Sequence, residues 1–132
     1  MEQLFLQDLE GFTDAEVRSH IQSSYDAAPH VLDNFDILIA YESVGSWGCD
    51  SSSFFLLRNK STNELFENHG SHCSCYGFEG QFEPDKTTIE YLTSTKFNFC
   101  SGGYDDDDEK HQMQVREYLQ RLLSEIKEGD SD

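Results

Sequence analysis

Ile37-Leu38-Ile39-Ala40-Tyr41 is an apolar run without a polar break. It is too short for a helix, and its branched residues favour an extended backbone, so it predicts a buried strand. Downstream, Phe54-Phe55-Leu56-Leu57 repeats the pattern after a loop in which Gly45 and Gly48 flank Trp47. Asn59 to Asn63 is polar turn chemistry, and Glu64-Leu65-Phe66-Glu67 returns as the third strand of a hairpin.

Helices are expected on either side of these strands. Phe12-Thr13-Asp14-Ala15-Glu16-Val17 is a helix start: Thr13 caps, Glu16 reciprocates, and Phe12 staples onto Val17. Val17, Ile21 and Tyr25 follow at helical spacing, and the helix fades before Pro29. Thr87-Thr88-Ile89-Glu90 repeats the capping pattern and opens a short helix to Leu92, after which Lys96 to Cys100 reads as a further strand. The last helix is the clearest element. Val115, Tyr118, Leu119, Leu122 and Ile126 share one face, while Arg116, Glu117, Arg121 and Glu125 cover the other. The expected architecture is α+β: a small, mainly antiparallel sheet packed against helices, with a long amphipathic C-terminal helix. Residues 1–128 form one domain, and residues 129–132 are a frayed acidic end.

Charge constrains the partners. The formal net charge is −17 over 132 residues. Residues 1–66 hold eleven acids against three bases, and residues 67–132 hold fifteen against six. The acidity therefore covers the whole body. Such a chain repels phosphate backbones and anionic membranes and is drawn to basic protein surfaces. The N-terminus lacks a signal peptide's basic and apolar regions, and no run is long enough to span a membrane. Cys49, Cys73, Cys75 and Cys100 read as reduced thiols in a cytoplasmic protein.

Residues 68–84 read Asn-His-Gly-Ser-His-Cys-Ser-Cys-Tyr-Gly-Phe-Glu-Gly-Gln-Phe-Glu-Pro. With the preceding hairpin and the following Thr-Thr-Ile-Glu-Tyr-Leu, this block resembles a group of small proteins encoded by tailed bacteriophages. They carry a similar Gly-Ser-His-Cys-Ser-Cys-Tyr-Gly, then Glu-Gly-Gln, then an aromatic-Glu-Pro. The resemblance covers residues 36–94. It implies a phage origin and a shared fold core and no catalytic residue; only together with the acidic charge does it suggest, by analogy, an anti-defence role of the anti-CRISPR kind.

The same block has two readings by its residues alone. His69, His72, Cys73 and Cys75 offer two imidazoles and two thiols, a ligand set that zinc favours. Cys-x-Cys, however, is a tight chelate with no second cluster, and the alternative is that both cysteines pack as small apolar side chains of an extended segment. No cofactor is expected, zinc being the exception that this set allows. A thiol nucleophile beside His72, with Glu79 as acid or base, lacks a second polar group in register. Gly70, Gly77 and Gly80 serve turns, since no Gly-Lys-Ser/Thr follows them.

Asp105, Asp106, Asp107, Asp108 and Glu109 form a continuous acidic run. Carboxylates here complement the dipole of the last helix, with Asp108 or Glu109 near its cap. The run lacks the alternate spacing of a calcium loop. It also suits mimicry of nucleic acid, in which carboxylates occupy a groove built for phosphates. The expected function is therefore a non-enzymatic inhibitor of a basic, nucleic-acid-handling host defence protein, such as a CRISPR effector or restriction nuclease. Asp105 to Glu109 would be its contact, helped by Glu83, Asp85, Glu117 and Glu125. Direct nucleic-acid or membrane binding is not expected, and a homodimer is compatible with the composition. The alternative is a small-molecule (nucleotide) or zinc-binding protein using the His69–Tyr76 segment and the Trp47 loop. That reading needs a local basic pocket drawn from Arg58, Lys60, Lys86 and Lys96.

Overall fold

The computed structural model describes residues 3–25, 30, 32–43, 51–72, 82, 84–94, 97 and 108–130. In chain order the elements are β1 (Leu4–Gln7), α1 (Asp14–Ser24), β2 (Phe35–Ser43), β3 (Ser51–Asn59), β4 (Leu65–His72), β5 (Asp85–Thr87), α2 (Ile89–Leu92) and α3 (Asp108–Asp130). The strands form a five-stranded sheet in the order β1-β2-β3-β4-β5. The fold is α+β, as expected, but the sheet is mixed rather than mainly antiparallel. β1 pairs parallel with β2, Leu4 to Gln7 lying opposite Ile39 to Glu42. A parallel neighbour requires a crossover, and α1 supplies it.

The apolar run forms the centre of β2, and Ile37 to Tyr41 are all buried. One irregularity governs its geometry. Ile37 lies opposite Leu57 while Ile39 lies opposite Leu56, so Leu38 is an extra residue on the β2 side. Such a bulge exchanges the two faces for everything beyond it. Ile37, Ala40, Phe55 and Leu57 face one layer, packed with Val17 and Ile21 of α1 and with Tyr25 just past its C-terminus. Leu38, Ile39, Tyr41, Phe54 and Leu56 face the other, packed with Ile89 and Leu92 of α2 and Val115, Tyr118, Leu119 and Leu122 of α3. The sheet is thus covered on both sides, which explains why β2 and β3 read as continuous apolar runs rather than alternating ones.

Local chemistry accounts for the element ends. Thr13 Oγ1 accepts from Glu16 N–H at 3.2 Å, and Glu16 Oε1 accepts from Thr13 N–H at 3.2 Å, the reciprocal cap expected there. Phe12 joins the Val17 cluster. Arg18 then ties α1 to the entry of β2. Its guanidinium donates to Asp14 at 2.7 Å and to the carbonyls of Leu32 and Phe35 at 2.9 and 2.7 Å. Between β3 and β4, Asn59 Oδ1 accepts from the N–H groups of Ser61 and Thr62, and Asn63 takes the left-handed conformation (φ 61°) that asparagine tolerates.

Three boundaries differ from expectation. β4 continues through Asn68 to His72, because Ser51 to Phe55 of β3 supply partners for residues that resemble a loop in isolation. The short helix is capped by Thr88, whose Oγ1 accepts from Tyr91 N–H; the capping position expected at Thr87 shifts by one. α3 begins at Asp108, so Asp108 and Glu109 belong to its first turn, and its helical run includes Gly129. The strand expected at Lys96 to Cys100 lies outside the described residues apart from Phe97, which is buried.

Candidate functional site

Three polar residues are buried among the described residues: Glu42, Ser53 and Asn68. All sit toward one end of the sheet. Glu42 and Ser53 are opposite one another, and Ser53 is opposite Gly70. They share the α1 face with Phe55, whose β4 partner is Asn68. The bulge at Leu38 places Glu42 on this face; an unbulged β2 would direct it toward α3.

Glu42 is only 5% exposed, yet it is well supplied with donors. Tyr25 Oη donates to its Oε1 at 2.7 Å, and His20 Nε2 lies 3.0 and 2.9 Å from its two oxygens. Burial, reinforced by the negative charge of Glu42, pushes the Tyr25 phenol far above its ordinary range, so it stays protonated and donates. The rings also interlock. Phe12 meets His20 at 6.2 Å, His20 meets Tyr25 at 6.1 Å, and Tyr25 meets Phe55 at 5.4 Å, all edge to face. Each polar group satisfies the others, which is what a buried carboxylate requires. The first effect of the trio is to anchor α1 on the sheet.

His20 is the member that meets solvent, its side chain a quarter exposed. It borders a shallow groove with Phe12, Ala15, Glu16, Ser19 and Ser23. Its Nδ1 lies 3.4 Å from Ser24 Oγ. Carboxylate, imidazole and hydroxyl are therefore in sequence, an order that can relay a proton. Ser24, however, ends α1, where the backbone offers carbonyls rather than the N–H groups that would hold an oxyanion.

Among the described residues, the acidic contacts expected from sequence are spread over β5 and α3. Asp85 is exposed on β5, and Glu117 and Glu125 are exposed on α3, two turns or about 12 Å apart. Asp108 and Glu109 start the same helix. Asp105, Asp106, Asp107 and Glu83 lie outside the described residues. Glu117 shares its surface with Arg116, Gln120 and Arg121, so the middle of α3 is of mixed charge.

Of the metal set, His69 Nε2 contacts Glu67 Oε1 at 3.2 Å, and its ring lies against Phe54 at 4.9 Å. His72 ends β4, while Cys73 and Cys75 lie outside the described residues. Among the described residues no three His, Cys, Asp or Glu side chains converge on a metal position. The basic residues named for a nucleotide are also spread. Lys60 faces Asp36 at 4.0 Å, Lys86 faces Glu64 at 3.3 Å, and Arg58 is half-buried on β3. Lys96, Trp47 and Tyr76 lie outside the described residues. No described helix is long and apolar enough to cross a membrane. No protein family, curated protein or solved structure matches this chain.

Proposed function

We propose that the chain is a non-enzymatic, phage-encoded acidic inhibitor that acts in the host cytoplasm by occupying the basic surface of a nucleic-acid-handling defence protein. One observation carries this reading: the charge left over after internal pairing. Of nine lysines and arginines set against twenty-six acids, Arg18, Lys60 and Lys86 are each held by an acid of the chain itself. Glu10, Asp85, Glu90, Glu117 and Glu125 remain exposed. An uncompensated acidic skin steers toward a partner whose groove is built for phosphates, and the partner's lysines and arginines supply the attraction. The phage-like segment at residues 68–84 supplies the biological setting. The Asp105–Glu109 run is the principal contact in this reading.

A pull-down from host lysate at low and at high salt, with partners identified by mass, tests it. The expected partner is a basic nuclease or CRISPR component that added duplex DNA displaces. Changing Asp105 to Asp108 to Asn, with Glu109→Gln, should weaken capture and flatten its salt dependence. An identified partner whose capture ignores salt, DNA and neutralisation alike would sink the proposal.

A further inference from the structure

The apolar faces that join α2 to α3 do not close completely. A crevice of about 90 Å³ remains between the end of α2 and the middle of α3. Leu92, Phe97 and Leu119, all buried, form its floor. Thr93 and Ser94 are half-buried on one rim, while Arg116 and Gln120 are exposed on the other, so the crevice meets solvent on the α3 side. An apolar cavity of about 150 Å³ holds benzene. The smaller space here suits a short branched alkyl group.

Hydrogen bonds at the rim decide the polar end of a guest. Thr93 Oγ1 donates to the Ile89 carbonyl at 2.8 Å, and Ser94 Oγ donates to the Tyr91 carbonyl at 2.7 Å. Both hydroxyl protons are turned back onto α2. The side-chain donors at the mouth are therefore the Arg116 guanidinium and the Gln120 amide.

Arg116 is also a cation that its own helix does not neutralise. Side chains three and four residues apart meet on a helix. For Arg116 these are Gln112, Met113, Leu119 and Gln120, none of them acidic. Arg121, by contrast, has Glu117 and Glu125 four residues away on either side, and Arg18 is held by Asp14 in that arrangement. Among the described residues Arg116 takes part in no ion pair. An unpaired guanidinium at the mouth of an apolar slot is complementary to a carboxylate with a hydrocarbon tail. The surrounding charge of −17 penalises each negative charge on a guest, which favours a monoanion over a phosphate dianion.

We propose that this crevice binds a small amphiphilic anion, a carboxylate carrying a short branched alkyl chain. The alkyl group lies on Leu92, Phe97 and Leu119, and the carboxylate accepts from Arg116 and Gln120. The site is separate from the acidic contacts of the inhibitor reading and does not depend on them.

The test is a heteronuclear NMR titration of the intact protein with 4-methylpentanoate. Controls are 4-methylpentanamide, which keeps the shape without the charge, and acetate, which keeps the charge without the chain. The parent acid should give saturable shifts at the amides of residues 92–94 and 116–120. The amide should bind about threefold to tenfold more weakly, the range expected of a solvent-facing charged contact. Acetate should bind at least about tenfold more weakly, because it leaves the slot empty. Arg116→Gln should abolish the preference for the acid over its amide. The three ligands decide the matter on the unaltered protein. Absence of saturable shifts at these residues, or equal binding of either control, would overturn the proposal. So would an acid preference that survives Arg116→Gln.

Discussion

Replacing Tyr25 with phenylalanine removes one hydroxyl from the buried trio and leaves its ring in place. The ring keeps its contacts with Phe55 and Phe82, at 5.4 and 6.4 Å. What is lost is the hydroxyl, which donates to Glu42 at 2.7 Å. A hydrogen bond to a charged group contributes about 1.5–3 kcal/mol net. Because His20 still contacts both oxygens of Glu42, the lower end applies, and we expect Tyr25→Phe to cost about 1.5–2 kcal/mol. At a urea m-value of about 1.5 kcal/mol/M, the midpoint should fall by about 1 M with unchanged slope. Glu42→Gln and the double variant complete a thermodynamic cycle. Residues in direct contact should show a coupling of about 1 kcal/mol or more, since the second substitution then has less left to remove. A loss below about 0.5 kcal/mol for Tyr25→Phe, or strict additivity in the cycle, would refute the reasoning. Either result would mean the phenol and the carboxylate do not stabilise one another.

Other perturbations probe separate links. Thr13→Ala removes the side-chain acceptor for Glu16 N–H and should cost about 1 kcal/mol, read as a lowered thermal midpoint; Thr13→Ser should restore most of it. Burial alone would raise the Asp14 and Glu67 carboxyls. Contacts with Arg18 and Gln3 for Asp14, and with His69 and Thr87 for Glu67, instead hold them below their ordinary values of 3.8 and 4.5. Depressed folded-state values contribute stability above those ordinary values, so it should be lost as pH falls through and below about 4. Arg18→Gln should flatten that acid limb; an unchanged pH profile of urea midpoints would count against the Asp14 pairing. Incubation with EDTA should leave the melting temperature unchanged, and a drop would bring back His69, His72, Cys73 and Cys75 as zinc ligands.

Much of the architecture was legible because its signals are local. The Thr13–Glu16 cap, the Val17–Ile21–Tyr25 stripe and the apolar face of α3 each depend on residues within a few positions. What escaped depends on distant partners. Leu4–Gln7 is too short to declare itself, and its strand identity comes from pairing with Ile39–Glu42. Asn68–His72 carries loop-like residues and is extended because β3 holds it so. Glu42 was not singled out for a related reason. An acid closing an apolar run looks like a solvent-facing end, and Ile37–Tyr41 has no alternation from which a face, or the extra residue at Leu38, can be read. The one available signal was Tyr25 and His20 on a helix otherwise marked by Val17 and Ile21, polar tips needing a partner on whatever the helix covers.

The parallel pairing of β1 also sets an order of assembly. During synthesis the first strand emerges well before its neighbour exists, and it cannot join the sheet until β2 has been made. The β3–β4 hairpin closes through the short turn from Lys60 to Asn63, so its entropic cost is small. β1 must instead wait for α1 to lie across the sheet. β1 is thus the late arrival at its own edge, and until it docks β2 exposes an unpaired flank.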